Sequence, residues 1–454
     1  MRVVVRPHRR LDGTIQLPGD KSISHRAAIV GSLAVGPTEI SRFLEAEDCL
    51  NTLRALEALG VEVTRKGPGH YRVEGVGLLG LQEPESVLDC GNSGTSARLL
   101  LGMLAGQPFS SVLTGDDSLR RRPMERVTEP LARMGATVVG RQGGARLPLA
   151  IRGRRPLRGC AHRLPVASAQ AKSALLLAGL AADGPVTVEE PAASRNHTEL
   201  ILARFGAQVE REGARVALTP GRKLRGQVVQ IPGDFSSAAF FIVAGCLIPD
   251  SRVVLREVGV NPTRTGLLDI LSEMGGRIEF DQKLDPQQLG LHQLKPSGEP
   301  ARDEGEPIAT LTVTSSRLRG ARVGGPLIPR LVDELPILAV AAAMAEGVTE
   351  VTDAKELRVK ESDRIRVIAT ELAKLGVLIE EREGGFLIRG RQPLTGARVH
   401  SHGDHRMAMA LVVAGLVAQG STVVEDVGPI ATSFPEFLPT LLSLVGEPCL
   451  TVEP

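Results

Sequence analysis

The chain has 454 residues, 42% apolar and 23% charged, with 54 Lys and Arg against 52 Asp and Glu for a formal charge of +2. That balance predicts a globular chain with room for two or more domains, and it excludes a global field for nucleic acid, so any basic site must be local. Aromatics at 2%, with no Trp and a single Tyr, exclude base-stacking platforms, and five scattered Cys without a CxxC pair point to neither a disulfide framework nor a zinc site. The longest apolar runs, such as LPILAVAAAMA (335–345), are too short to span a bilayer, and residues 1–10 are basic without the apolar core of a signal peptide. A cytoplasmic protein with no nucleic-acid or membrane partner is expected.

The first predicted element sets the pattern for the rest. In LPGDKSISHRAAIVGSLAVG (17–36), Asp20 or Ser22 can cap a helix whose apolar body runs from Ala27 to Leu33. Lys21, Ser22 and Arg26 then sit at or near the first turn, where free N–H groups and the helix dipole favour an anion. The plainer reading is a capped surface helix with solvated cations. Counterparts follow in LDCGNSGTSARLLLGMLAG (88–106), LPVASAQAKSALLLAGLAADG (164–184), IPGDFSSAAFFIVAGCLIPD (231–250), DELPILAVAAAMAEG (333–347) and HGDHRMAMALVVAGLVAQG (402–420). Each is followed by a second helix ending in Gly, such as LRALEALG (53–60) and LAKLG (372–376), and then by short alternating strands.

The unit predicted is strand, helix, strand, helix, strand, strand, repeated six times at roughly 70 residues. Between the fourth and fifth copies the stretch 281–307 reads as a polar surface insertion. IQLPGDKS (15–22) and VQIPGDFS (229–236) are near copies three units apart, which divides the chain into lobes 18–233 and 1–17 plus 234–454. The strand RVVVR (2–6) is expected to complete the second lobe, because the sixth unit ends after CLTVE (449–453). Two backbone crossings make a hinge, and a cleft between lobes is where a substrate is expected.

The helix heads differ although their apolar bodies are alike, as expected if bodies pack and heads bind. Beyond the first, they read Asn92-Ser93-Gly94-Thr95, Ser168-Ala169-Gln170, Asp234-Ser236-Ser237, Asp333-Glu334 and Asp404-His405-Arg406. The second helices are expected to open on Arg120-Arg121-Arg122-Pro123, Ser194-Arg195, Thr263-Arg264, Lys360 to Arg364 and Thr432-Ser433. An i, i+4 spacing would put Lys360 and Arg364 on one helix face, with Glu361 three before Arg364. Gly94 would let a ligand approach the backbone. Asp333 is an acid among cations with no basic partner in sequence, able to take a proton from a substrate hydroxyl or simply to cap its helix.

PGDKSISHR, GNSGTSAR, RRPM, ASAQAKSALLLAGL, NPTRTG, DELPILAVAAA, LRVKESDR, DHRMAMA and TSFPEF, in this order along the chain, together resemble the 5-enolpyruvylshikimate-3-phosphate synthase family. The resemblance implies an α/β enolpyruvyl-transferase fold, an inside-out α/β barrel of two domains, each with three βαβαββ units, closing over a cleft. It implies transfer of the enolpyruvyl group of phosphoenolpyruvate to the 5-hydroxyl of 3-phosphoshikimate, with phosphate release, on the route to chorismate and the aromatic amino acids. Addition precedes elimination, through a tetrahedral intermediate. No cofactor or metal is implied, and a monomer is expected.

By the same resemblance Lys21 touches both substrates. Ser22, Arg26, Ser168, Ala169, Gln170, Arg195, Asp333 and Lys360 match 3-phosphoshikimate positions, and Gly94, Arg122, Gln170, Arg364 and Arg406 match phosphoenolpyruvate positions. Asp333 matches the base on the hydroxyl, and Glu361 the acid that protonates the methylene carbon. Ala169 departs from the commoner second Ser of its motif, and Ala431-Thr432-Ser433 lacks a Lys often found before the Phe-Pro. The sister family acting on UDP-N-acetylglucosamine is the rival; it pairs Lys with Asn in the opening motif and carries a loop Cys, where this chain has Ser22 and no Cys in the loop after Gly115.

Overall fold

The computed structural model describes residues 1–281, 305–445 and 449–453. The chain folds as two compact units: one of residues 1–18, 233–281 and 307–453, the other of residues 19–232 joined by Gly305 and Glu306. Each unit has three four-stranded sheets and one contiguous apolar core.

All six sheets share one design. A short strand pairs in parallel with the strand that follows the first helix, and an antiparallel pair of strands completes the sheet. Ile308–Thr314 shows why the strands form: β-branched and aliphatic residues alternate, and every second side chain is buried. Two strands are placed out of repeat order. Arg2–Val5 lies antiparallel between Thr422–Glu425 and Leu450–Glu453 in the sixth sheet, while Asp12–Gln16 pairs in parallel with Arg252–Gly259 in the fourth. Val228–Gln230 correspondingly pairs in parallel with Val35–Ser41 in the first.

The first helix of each unit is buried nearly all round. In Phe235–Leu247 and Leu335–Met344 almost every residue is buried, which fits helices apolar on all faces. Close approach is required as well: Gly102 lies so near the backbone of Ala174 that a Cβ there would collide with it. Phe241, Phe434 and Phe437 meet with ring centroids 5.7 to 6.1 Å apart, so the TSFPEF motif serves the core.

The second helices, Glu47–Ala58, Glu125–Met134, His197–Arg204, Gly266–Glu273, Arg364–Lys374 and Phe437–Val445, are amphipathic covers. The glycines that stop them, Gly60, Gly135, Gly206, Gly275 and Gly376, all have positive φ, the left-handed conformation in which a Cβ would be strained.

Three details differ from expectation. Most of the polar residues expected to open second helices lie in the preceding loops: Arg122 is the C-cap of a short helix, Asp117–Arg121, and the helices after Arg195, Arg264 and Ser433 begin at His197, Gly266 and Phe437. Lys360 precedes a helix that starts at Arg364, capped by Asp363, so the two cations do not share a helix face. The insertion falls largely outside the described residues, yet Glu306 at its end has a mostly covered side chain, with its carboxylate 2.5 Å from His197 Nδ1.

Candidate active site

In the unit of residues 19–232, the N-termini of three central helices are stitched together. Asp20 caps Lys21–Ser32 by accepting from Ile23 N at 2.9 Å, Ser93 caps Gly94–Ala105 by accepting from Ser96 N at 3.0 Å, and Ser168 caps Ala169–Gly179. Arg26 ties the first helix to the third: Nη2 donates to Ser173 Oγ at 2.9 Å, Nε to Thr198 Oγ1 at 2.6 Å and Nη1 to the Ser22 carbonyl at 2.8 Å. Burial lowers its pKa to about 10, against the pull of Glu199 and Asp20.

Gln170 joins the third head to the second, donating to Thr95 Oγ1 at 2.9 Å and accepting from Arg98 Nη1 at 2.6 Å. His25, Thr52, Ser96 and Ser93 form a buried chain of hydrogen bonds between the first and second heads, 2.7 to 2.8 Å long.

Cations gather at these heads. Lys21 pairs with Asp48. Arg122, nearly buried, donates to Asn92 Oδ1 and, at 3.2 Å, to Ser118 Oγ. A Cβ on Gly94 would lie 2.6 Å from Arg98 Nη1 and 3.4 Å from Arg122 Nη1, so the bare backbone lets two guanidinium groups stand over a helix N-terminus. Arg195 is close enough to Arg26 to lower its proton affinity. The site thus gathers Lys21, Ser22, Arg26, Gly94, Arg122, Ser168, Ala169, Gln170 and Arg195 at one end of three helices. Sequence reasoning missed two members: Arg98, which is inside a quoted motif, and Asp48, whose only signal is an acid in the first turn of its helix.

Burial first, then Lys21 and Arg26, hold the His25 imidazole well below its usual pKa. As pH falls below about 6.5 the unfolded chain binds this proton and the folded one does not, so stability is lost at up to about 1.4 kcal/mol per pH unit. Urea unfolding between pH 7 and 5.5 is expected to show that slope, with His162, lowered to about 4 by burial and Arg133, adding its own. His25→Gln should flatten the slope; equal slopes in variant and parent would exclude His25.

In the unit of residues 1–18, 233–281 and 307–453 the cluster is built around carboxylates. Asp333 lies in the turn before Leu335–Met344, one residue before the N-cap position, which is Glu334. Its carboxylate meets three cations that sequence adjacency does not reveal: Arg364 at 3.4 Å, Lys360 at 3.6 Å and Arg406 at 4.0 Å. Arg364, with its side chain 1% exposed, also binds Glu361 at 2.6 Å and grips Asp404 through Nε at 2.8 Å and Nη2 at 3.2 Å.

Burial opposes the Arg364 charge, but Asp404, Glu361 and Asp333 outweigh it and raise its pKa above the usual arginine value. For Asp404 burial pushes upward, and the Arg364 guanidinium overcomes it and holds the carboxyl below its ordinary range. Asp404 also accepts from Arg406 N at 3.0 Å and Ser362 Oγ at 3.1 Å, fixing the sixth head. Arg406 Nη1 reaches the Asp333 carbonyl at 3.3 Å. Beside this cluster Ser236 donates to Glu334 and accepts from Arg264 Nη2 at 2.8 Å, joining the fourth head to the fifth.

Among the described residues no group of three or more His, Cys, Asp or Glu side chains is arranged for a metal ion, and no helix is long and apolar enough to cross a membrane. Carboxylates set among lysines and arginines in one unit, and cationic helix heads in the other, are furnishings suited to acid–base chemistry on anionic substrates, on a repeated α/β scaffold.

The comparisons narrow that class. The family model for EPSP synthase (3-phosphoshikimate 1-carboxyvinyltransferase) matches residues 5–441. A 3-phosphoshikimate 1-carboxyvinyltransferase of Desulforudis audaxviator is 53% identical over 98% of this chain and 99% of that protein, and one of Geobacter sulfurreducens is 52% identical over 95% and 96%. A solved EPSP synthase from Acinetobacter baumannii has a TM-score of 0.84 and 41% identity, with all of both chains covered. The chain belongs to the EPSP synthase family. Its fold is the family's two-domain α/β fold, and its reaction is the family's transfer of an enolpyruvyl group from phosphoenolpyruvate to 3-phosphoshikimate in the shikimate pathway.

Proposed function

We propose that the family reaction is carried by Asp333, Glu361 and Lys21, with substrate held by the residues gathered in the two clusters. Asp333 takes the proton of the 5-hydroxyl as that oxygen bonds to C2 of phosphoenolpyruvate, while Glu361 gives a proton to C3, which becomes a methyl. In the second half the bond from C2 to the phosphate oxygen breaks, the methyl returns its proton to Glu361, and phosphate leaves with the proton held by Asp333. Lys21, touching both substrates, offsets charge in the tetrahedral intermediate.

Glu361 is ion-paired with Arg364 at 2.6 Å, and that pair must part before Glu361 can carry a proton. An anionic group of phosphoenolpyruvate taking Arg364 would release it, so binding would prepare the acid. Gly94, Arg122, Gln170, Arg364 and Arg406 hold phosphoenolpyruvate; Ser22, Arg26, Ser168, Ala169, Gln170, Arg195, Asp333 and Lys360 hold 3-phosphoshikimate. The observation that carries this reading is Asp333, a carboxylate 3.4 to 4.0 Å from three cations.

The reading extends to a cytoplasmic monomer; each unit encloses its own apolar core, and no helix among the described residues is long and apolar enough to cross a membrane. Phosphate release from phosphoenolpyruvate is expected to require 3-phosphoshikimate. Release supported equally by UDP-N-acetylglucosamine, or absent with both substrates present, would defeat the assignment.

A further inference from the structure

Behind the third helix head lies a buried ion cluster that the reaction scheme leaves unused. Glu190, just past the strand Val186–Glu189, has its side chain 1% exposed. Its carboxylate accepts from Ser168 N at 2.8 Å, from Ser194 Oγ at 2.7 Å to each oxygen, and from Ser194 N at 3.3 Å. Lys172, also 1% exposed, places Nζ 2.9 Å from Glu190 and 2.9 Å from Glu199, and donates to the Ser194 carbonyl at 3.4 Å. One carboxylate therefore fastens the cap residue of the helix Ala169–Gly179 to the loop carrying Arg195.

A purely structural anchor here has no need of charge, since apolar side chains of similar volume commonly replace a buried ion pair without loss. What a carboxylate adds is several acceptor positions at fixed spacing, enough to hold a backbone N–H and a hydroxyl at once. Its negative charge, so close to an anion-binding head, would repel a phosphate, and Lys172 directly behind it removes that penalty. With Ser168 and Arg195 holding the acceptor's phosphate as proposed above, helix N–H groups, the Ser168 hydroxyl and the Arg195 guanidinium would form a cradle whose two sides belong to different chain segments.

We propose that Glu190, charge-balanced by Lys172, is a positioning residue that sets the spacing of Ser168 and Arg195 and so the affinity for the phosphate of the phosphorylated acceptor. This rests on the assignment of Ser168 and Arg195 to 3-phosphoshikimate. In Glu190→Gln the amide turns one acceptor into a donor facing Ser168 N or Lys172, and the cradle widens.

The KM for 3-phosphoshikimate is expected to rise about 10- to 30-fold, the effect of losing one or two hydrogen bonds to a charged group, while kcat and the KM for phosphoenolpyruvate stay within about twofold. The ratio of kcat/KM for 3-phosphoshikimate to that for shikimate, the same ring without its phosphate, should fall by the same factor. A role in folding alone would lower both equally, and that result, or an unchanged KM, would overturn the proposal. Arg195→Gln separates the two readings: if it raises the KM and Glu190→Gln does not, only the positioning role falls; if it leaves the KM unmoved, the substrate assignment falls and takes the proposal with it. Should the amide variant not fold, Glu190→Asp keeps the charge but shortens the reach, and the same split between substrates is expected.

Discussion

Asp333→Asn is expected to lower turnover by about 100-fold or more, the usual worth of a positioned general base, while 3-phosphoshikimate still binds. The electrostatics make this result diagnostic. Asp333 faces Lys360, Arg364 and Arg406, so removing its charge leaves the cluster more positive. If Asp333 only balanced those cations, its loss would tighten the binding of phosphoenolpyruvate and leave the chemical step intact. If it takes the hydroxyl proton, kcat falls although binding does not weaken. Single-turnover rates together with the KM for each substrate distinguish the two, and near-normal turnover would exclude the base role.

Arg364→Lys is expected to lower kcat/KM about 1000-fold and the unfolding free energy by about 2 to 4 kcal/mol. The guanidinium reaches Asp404 with two nitrogens while also meeting Glu361 and Asp333. An ammonium cannot span three carboxylates, and Asp404, whose side chain is fully buried, cannot find water instead. Loss of activity should follow because the sixth head, including Arg406, is fixed by Asp404.

The pH dependence gives a second signature. The folded Asp404 carboxyl is held below its ordinary range, so its contribution to stability is present above about pH 5 and is lost as pH falls below about 4. Arg364→Lys should shrink that acid limb. Urea midpoints at pH 7 and pH 3 check both statements, and a variant within about 0.5 kcal/mol of the parent would show that the pair stabilises little.

The six helix bodies were legible in the sequence because burial on all sides demands unbroken apolar runs, and the second helices because Gly in a left-handed conformation stops them. Family motifs carried the site list, since they quote side chains at the heads directly. The mode of action of several residues was not legible. Arg122, Arg195 and Lys360 read as helix starts but stand in loops, where the backbone is free to turn a side chain toward its partner.

The sequence by itself determined the repeat, the apolar bodies and the identity of the polar heads, because these are local patterns of burial, capping and charge. Only the tertiary structure decided which charges meet. Asp333 and Arg364 are 31 positions apart, and Lys172 and Glu190 lie on different elements. Such pairings have no local signal: each depends on how separate helices and strands pack, and a charge left without its partner in that packing is too costly to bury.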